Sequence, residues 1–96
     1  MSGASETPAR DYQAEADSYL ARLTEGLTPQ AAAAAVAVLT SRAATRLHVL
    51  ARSEASARKG QPEWAAWAAL QNAARSVVLQ ASTCRDLAGR LGGHRP

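Results

Sequence analysis

Residues 64–91 read WAAWAALQNAARSVVLQASTCRDLAGRL. Within this stretch Trp67, Leu70, Ala74, Val77, Ala81, Cys84, Ala88 and Leu91 alternate spacings of 3 and 4 without a break. That is the seam of a heptad helix, held over more than three heptads. Every second seam position after Trp67 is Ala. Small residues there let a partner helix approach closely. The Ala-rich segment that precedes it supplies that partner, because Gly60-Gln61-Pro62 leaves room only for a tight reversal into an antiparallel hairpin.

Working outward, Thr28-Pro29 is a start signal, with Thr as N-cap and Pro at the first helical position. Neither Gly nor Pro follows until Gly60, so the second helix is predicted over about 29–59. Pro62 starts a third helix that Gly89 or Gly92 ends. Upstream, Thr7-Pro8 repeats the start signal, and Tyr12, Ala16, Tyr19, Leu20 and Leu23 make one apolar stripe up to a cap at Gly26. Residues 1–6 are expected to be disordered, 7–91 to form a single helical domain, and 92–96 to be a flexible basic tail. The expected fold is all-α: a three-helix antiparallel bundle, with one short N-terminal helix and a long Ala-rich helical hairpin.

Composition supports this. Ala supplies 24 of the 96 residues, Phe is absent, and only 21 apolar residues are larger than Ala. A strand-based fold wants the β-branched and aromatic residues that are scarce here. The net charge of +3 is uneven, with an acidic first third and a basic remainder in which Arg dominates. The Arg and Ala excess reads as the codon bias of a high-GC bacterium. One Cys excludes an intrachain disulfide, no apolar run approaches the roughly 20 residues of a membrane span, and no signal peptide is visible. A cytoplasmic protein is expected, with no membrane association.

Turn positions give a crude register. Folding back at 60–61 sets residues level when their numbers add to about 121. The first helix then covers only about residues 29–46 of the second. The far half of the hairpin carries Leu47, Leu50, Trp64, Trp67 and Leu70 with nothing beneath it. Uncovered bulky apolar side chains mark an interface, and Trp is enriched at hot spots. These five residues are the expected contact for a second copy or for partner helices. The competing structural role is that both Trp pack on Leu47 and Leu50 and close the core locally.

Chemistry finds little support. Cys84 and His48 are predicted to be roughly 16 Å apart along the axis, which forbids a nucleophile–base pair. Cys84 reads as a small buried hydrophobe on the seam, and His48 as a surface or boundary residue. Two distant His and one Cys supply no metal site, and no cofactor is expected. Asp11, Glu15 and Asp17 are expected to ion-pair with Arg42 and Arg46 across the first two helices. A helical enzyme would have to assemble Asp11, Glu15, His48 and arginines across a dimer. Arg42, Arg46 and Arg75 are expected to share a level and, with Arg52 and Arg85, to form a basic strip, a candidate anion or nucleic-acid contact, weighed against a merely solvated face. The sequence therefore points to a non-enzymatic interaction module, an adaptor or regulatory subunit that self-associates. A nucleic-acid-associated regulator using the Arg face is the alternative.

Overall fold

The computed structural model describes residues 10–93, so Thr7-Pro8 and the tail His94-Arg95-Pro96 lie outside it. Three helices follow in order: α1 (Tyr12–Thr24), α2 (Pro29–Ala57) and α3 (Trp64–Gly93). The described chain holds no strand. It is an all-α helical hairpin preceded by a short helix.

Local chemistry explains most boundaries. Arg10 and Asp11 are not helical, and the Asp11 carboxylate accepts from the Ala14 N–H at 2.9 Å as N-cap of α1. The helix therefore starts there and not at Thr7, because an Asp oxygen satisfies a free N–H that the first turn leaves orphaned. Thr28 caps α2 by accepting from the Ala31 N–H, and Pro29 occupies the first turn. Gly26 and Gly60 adopt positive φ of 78° and 86° in the two connections, a conformation that side chains with a Cβ resist. Gly89 does not stop α3, which continues to Gly93. Gly lowers helix propensity by about 1 kcal/mol, which the surrounding helix absorbs.

The hairpin seam is built from alanine. Ala37, Ala44, Ala51 and Ala55 of α2 and Ala74, Ala81 and Ala88 of α3 are buried, and every buried side chain among the described residues is an alanine. Both helices repeat Ala at seven-residue steps, which keeps one line of each against the other along the whole contact. His48 Nδ1 meets the Gln71 carbonyl oxygen at 3.1 Å, so residues whose numbers add to about 120 lie level, close to the register that the turn implies.

The residues between the alanines differ from expectation. Gln71 and Val78 are half-buried beside the seam, whereas Val77 and Cys84 are exposed. Cys84 is thus not a buried hydrophobe. Leu70 is half-buried like Gln71, so the line of α3 turned toward α2 shifts to Gln71 and Val78 and leaves Val77, Cys84 and Leu91 of the expected seam exposed.

Helix α1 touches α2 and makes no contact with α3. None of its side chains is buried. The molecule measures 60 × 37 × 12 Å, with a radius of gyration of 17.9 Å against about 12–13 Å for a compact chain of this length. A thickness of 12 Å is one helix layer. Three parallel helices in one layer would be about 25 Å wide at typical spacing, so the 37 Å width means that α1 diverges from α2. It does not cover residues 29–46, and among the described residues both broad faces of the hairpin are open.

Candidate functional site: the two faces of the hairpin

The seven-residue repeat of the seam carries over to its flanks. Ala33, Val36, Ala37, Thr40, Ala81 and Cys84 line one apolar groove of about 310 Å³ between α2 and α3. Leu47 is one heptad beyond Thr40, Leu50 two beyond Val36, and Leu70, Val77 and Leu91 are at heptad steps from Cys84. All these side chains therefore stand on the groove side. Leu50 is 50% exposed and Leu91 68%. The two acids on this face are at its tip. Glu54 is tied to Arg58 of the next turn, and Glu63 stands at the start of α3.

The opposite face is basic. Arg52, Ser56, Lys59, Trp64, Ala68 and Gln71 line a shallow depression on it. By the same repeat Arg42 and Arg75 belong to this face, with Val38, Val49 and Leu79 as its scattered apolar residues. A second shallow groove joins Ser41, Arg42, Thr45, Arg46, Val49, Ser53 and Arg85, and Leu50 lines it too, at the outer edge of α2 between this groove and the apolar face. A helical side chain leans toward its own N-terminus, which carries Arg85 back toward Ser41 across the seam.

The predicted contact residues thus divide. Leu47, Leu50 and Leu70 come together on the apolar face. Trp64, 43% exposed, stands on the basic side. Trp67 is half-buried at the seam, with the Arg58 guanidinium 5.6 Å from its ring centre. That contact gives Trp67 a local partner and leaves Leu47 and Leu50 open. The Arg strip divides as well, with Arg52 in the depression beside Trp64. Arg85 joins Arg42 and Arg46 in a groove that Arg75 does not line.

The expected pairing of α1 acids with α2 arginines does not form. Asp11 is consumed as the cap, and Glu15 binds Arg10 through both Nε (3.0 Å) and Nη2. The Glu15 carboxylate raises the Arg10 guanidinium above its usual pKa by holding its charged form, opposed by slight desolvation. Arg42, Arg46 and Arg85 have no carboxylate partner among the described residues.

His48 must donate Nδ1–H to the Gln71 oxygen, since a carbonyl only accepts. Its ring is therefore a clasp between helices. Cys84 is beside Val36 and Thr40, with Thr40 eight residues or about 12 Å along α2 from His48. The two do not form a dyad. Among the described residues, no three His, Cys, Asp or Glu side chains converge on a metal-sized space, and no helix is long and apolar enough to cross a membrane.

The seven-residue alanine repeat would have signalled the two-faced hairpin from sequence, had its flanks been followed as well as its seam. Val36, Val77, Leu87 and Leu91 extend the apolar face well beyond the tip. Comparison with protein-family models, with curated proteins and with solved structures finds no match to this chain.

Proposed function

We propose that this chain is a non-enzymatic helical interaction module, an adaptor or regulatory subunit that acts by protein–protein association through the apolar face of its hairpin. One observation carries the reading: every buried side chain among the described residues is an alanine. Burying a methyl contributes about 0.8 kcal/mol, so an alanine seam stabilises far less than a leucine core of equal length. The larger apolar side chains that would make such a core stand half-buried or exposed on one open face: Val36 and Leu70 are half-buried, and Leu47, Leu50, Val77, Leu87 and Leu91 are exposed. Helices in proteins are held mainly by packing of their apolar faces, and this face has no cover among the described residues.

Thermal unfolding followed by circular dichroism at low and high protein concentration tests the reading, with Leu50→Glu and Leu70→Glu beside the parent. An association face predicts a midpoint that rises with concentration in the parent and loses that dependence in the variants. A midpoint independent of concentration that the two substitutions lower sharply would make these leucines core and sink the reading.

The unpaired Arg42, Arg46 and Arg85 support a second reading, a nucleic-acid-associated regulator. Phosphate contacts from Arg supply sequence-independent affinity that falls steeply with salt. A gel shift with duplex and single-stranded oligonucleotides at low salt decides it, and absence of binding there removes it.

A further inference from the structure

The partner on the apolar face follows from how that face is laid out along the hairpin. We infer that it is a second copy of this chain, stacked face to face and antiparallel, with the twofold axis in the plane between the faces and crossing at the level of Ala43 and Val77. This rests on the association reading above and names its partner and orientation.

Size is the first support. Helix α2 has 29 residues, about 43 Å of helix. Two helices side by side are about 18 Å wide, so one face offers roughly 800 Å². That is about the area each partner contributes to a standard stable interface.

Self-complementarity is the second. Residue 43 is the midpoint of α2, and Val77 is level with it on α3. A twofold axis across this level overlaps the two faces fully and lays each helix antiparallel on its own copy. Leu50 then opposes Val36 of the other copy, Leu47 opposes Thr40, and Leu70 opposes Cys84. Those three positions are in the apolar groove of about 310 Å³. The placement that gives full overlap is thus the one that seats the exposed Leu47 and Leu50 and the half-buried Leu70 on the groove. At the centre Ala43 meets its own copy on α2 and Val77 its own copy on α3, so an apolar pair spans the axis on each helix.

Charge agrees. The same axis brings Glu63 at the tip of one copy to the level of Arg90 at the open end of the other. A parallel stack would set leucine clusters on each other, groove on groove, and the acidic tips side by side. A homodimer interface is self-complementary by symmetry, as this face is.

The test uses the full chain with Cys84→Ser and Lys59→Cys, spin-labelled at the hairpin tip, on the face turned away from the contact. Light scattering after size exclusion gives the mass, and dipolar spectroscopy the distance between labels. The expected result is a dimer with labels about 54 Å apart, which combines about 48 Å along the helices (twice the sixteen-residue distance from the axis) with about 25 Å across the two stacked layers. A dimer with labels within about 25 Å places the tips together and overturns the orientation. A monomer at every concentration overturns the second copy as partner. If that monomer's melt is insensitive to glutamate at Leu50, the face remains an association surface for a different protein. If the melt falls sharply, the association reading fails as well.

Discussion

His48 of α2 and Gln71 of α3 are joined by the one side-chain bond that crosses the hairpin among the described residues: Nδ1 is 3.1 Å from the Gln71 carbonyl oxygen. The bond locks the axial register of two helices whose alanine contacts alone would permit sliding, since the same small residue recurs every heptad. His48→Ala should cost about 1 kcal/mol in urea unfolding, the net value of a hydrogen bond. Gln71→Ala keeps the carbonyl and should cost clearly less. Equal losses would show that the Gln71 side chain, not its backbone, holds the helices.

Ala51 is fully buried where the two helices are close. Ala51→Leu forces the backbones apart and should destabilise by about 1–3 kcal/mol. Ala65→Leu, on an exposed position of α3, should stay within about 0.5 kcal/mol of the parent. Both are read from denaturant midpoints at one fixed protein concentration, because association shifts apparent stability.

The same substitution should have opposite signs at two glycines. Gly60 has φ of 86° and nothing within 4 Å of a built Cβ. Gly60→Ala pays only the backbone penalty of the left-handed region, about 1 kcal/mol or slightly more. Gly89 is inside α3 with open space around it, so Gly89→Ala should stabilise by about 0.5–1 kcal/mol. Thermal midpoints that move in the same direction would contradict this account of the turn.

Leu50→Glu sets a carboxylate on the apolar face. Burying an unpaired charge costs several kcal/mol, so self-association should weaken by about tenfold or more. Helix content at 222 nm should be retained, because Leu50 is not on the seam. Sedimentation equilibrium measures the first and circular dichroism the second.

Thr28 and Pro29 and the glycine turns were legible in the sequence because capping and positive φ are local effects. The antiparallel hairpin was legible because two alanine-rich helices joined by a few residues have no other arrangement. The interface residues were legible only in part. Leu47, Leu50 and Leu70 share a face, but Trp64 stands across the hairpin from them and Trp67 packs under Arg58. Spacing alone does not separate such neighbours, since positions three and four residues apart are both adjacent on a helix.

By itself, the sequence determined three helices, an alanine seam and a register near the observed one. These follow from periodicity and from the shortness of the connection. Tertiary structure decided which neighbour of each alanine turns inward. Both alternations, through Leu70 and Val77 or through Gln71 and Val78, satisfy the heptad; Leu70 and Gln71 are both half-buried, and the packing of α2 on α3 turns Val78 inward in place of Val77. It decided the course of α1 as well. An amphipathic stripe states that a helix has an apolar side, but not that this side meets the next helix, and here α1 diverges to leave a flat hairpin open on both faces.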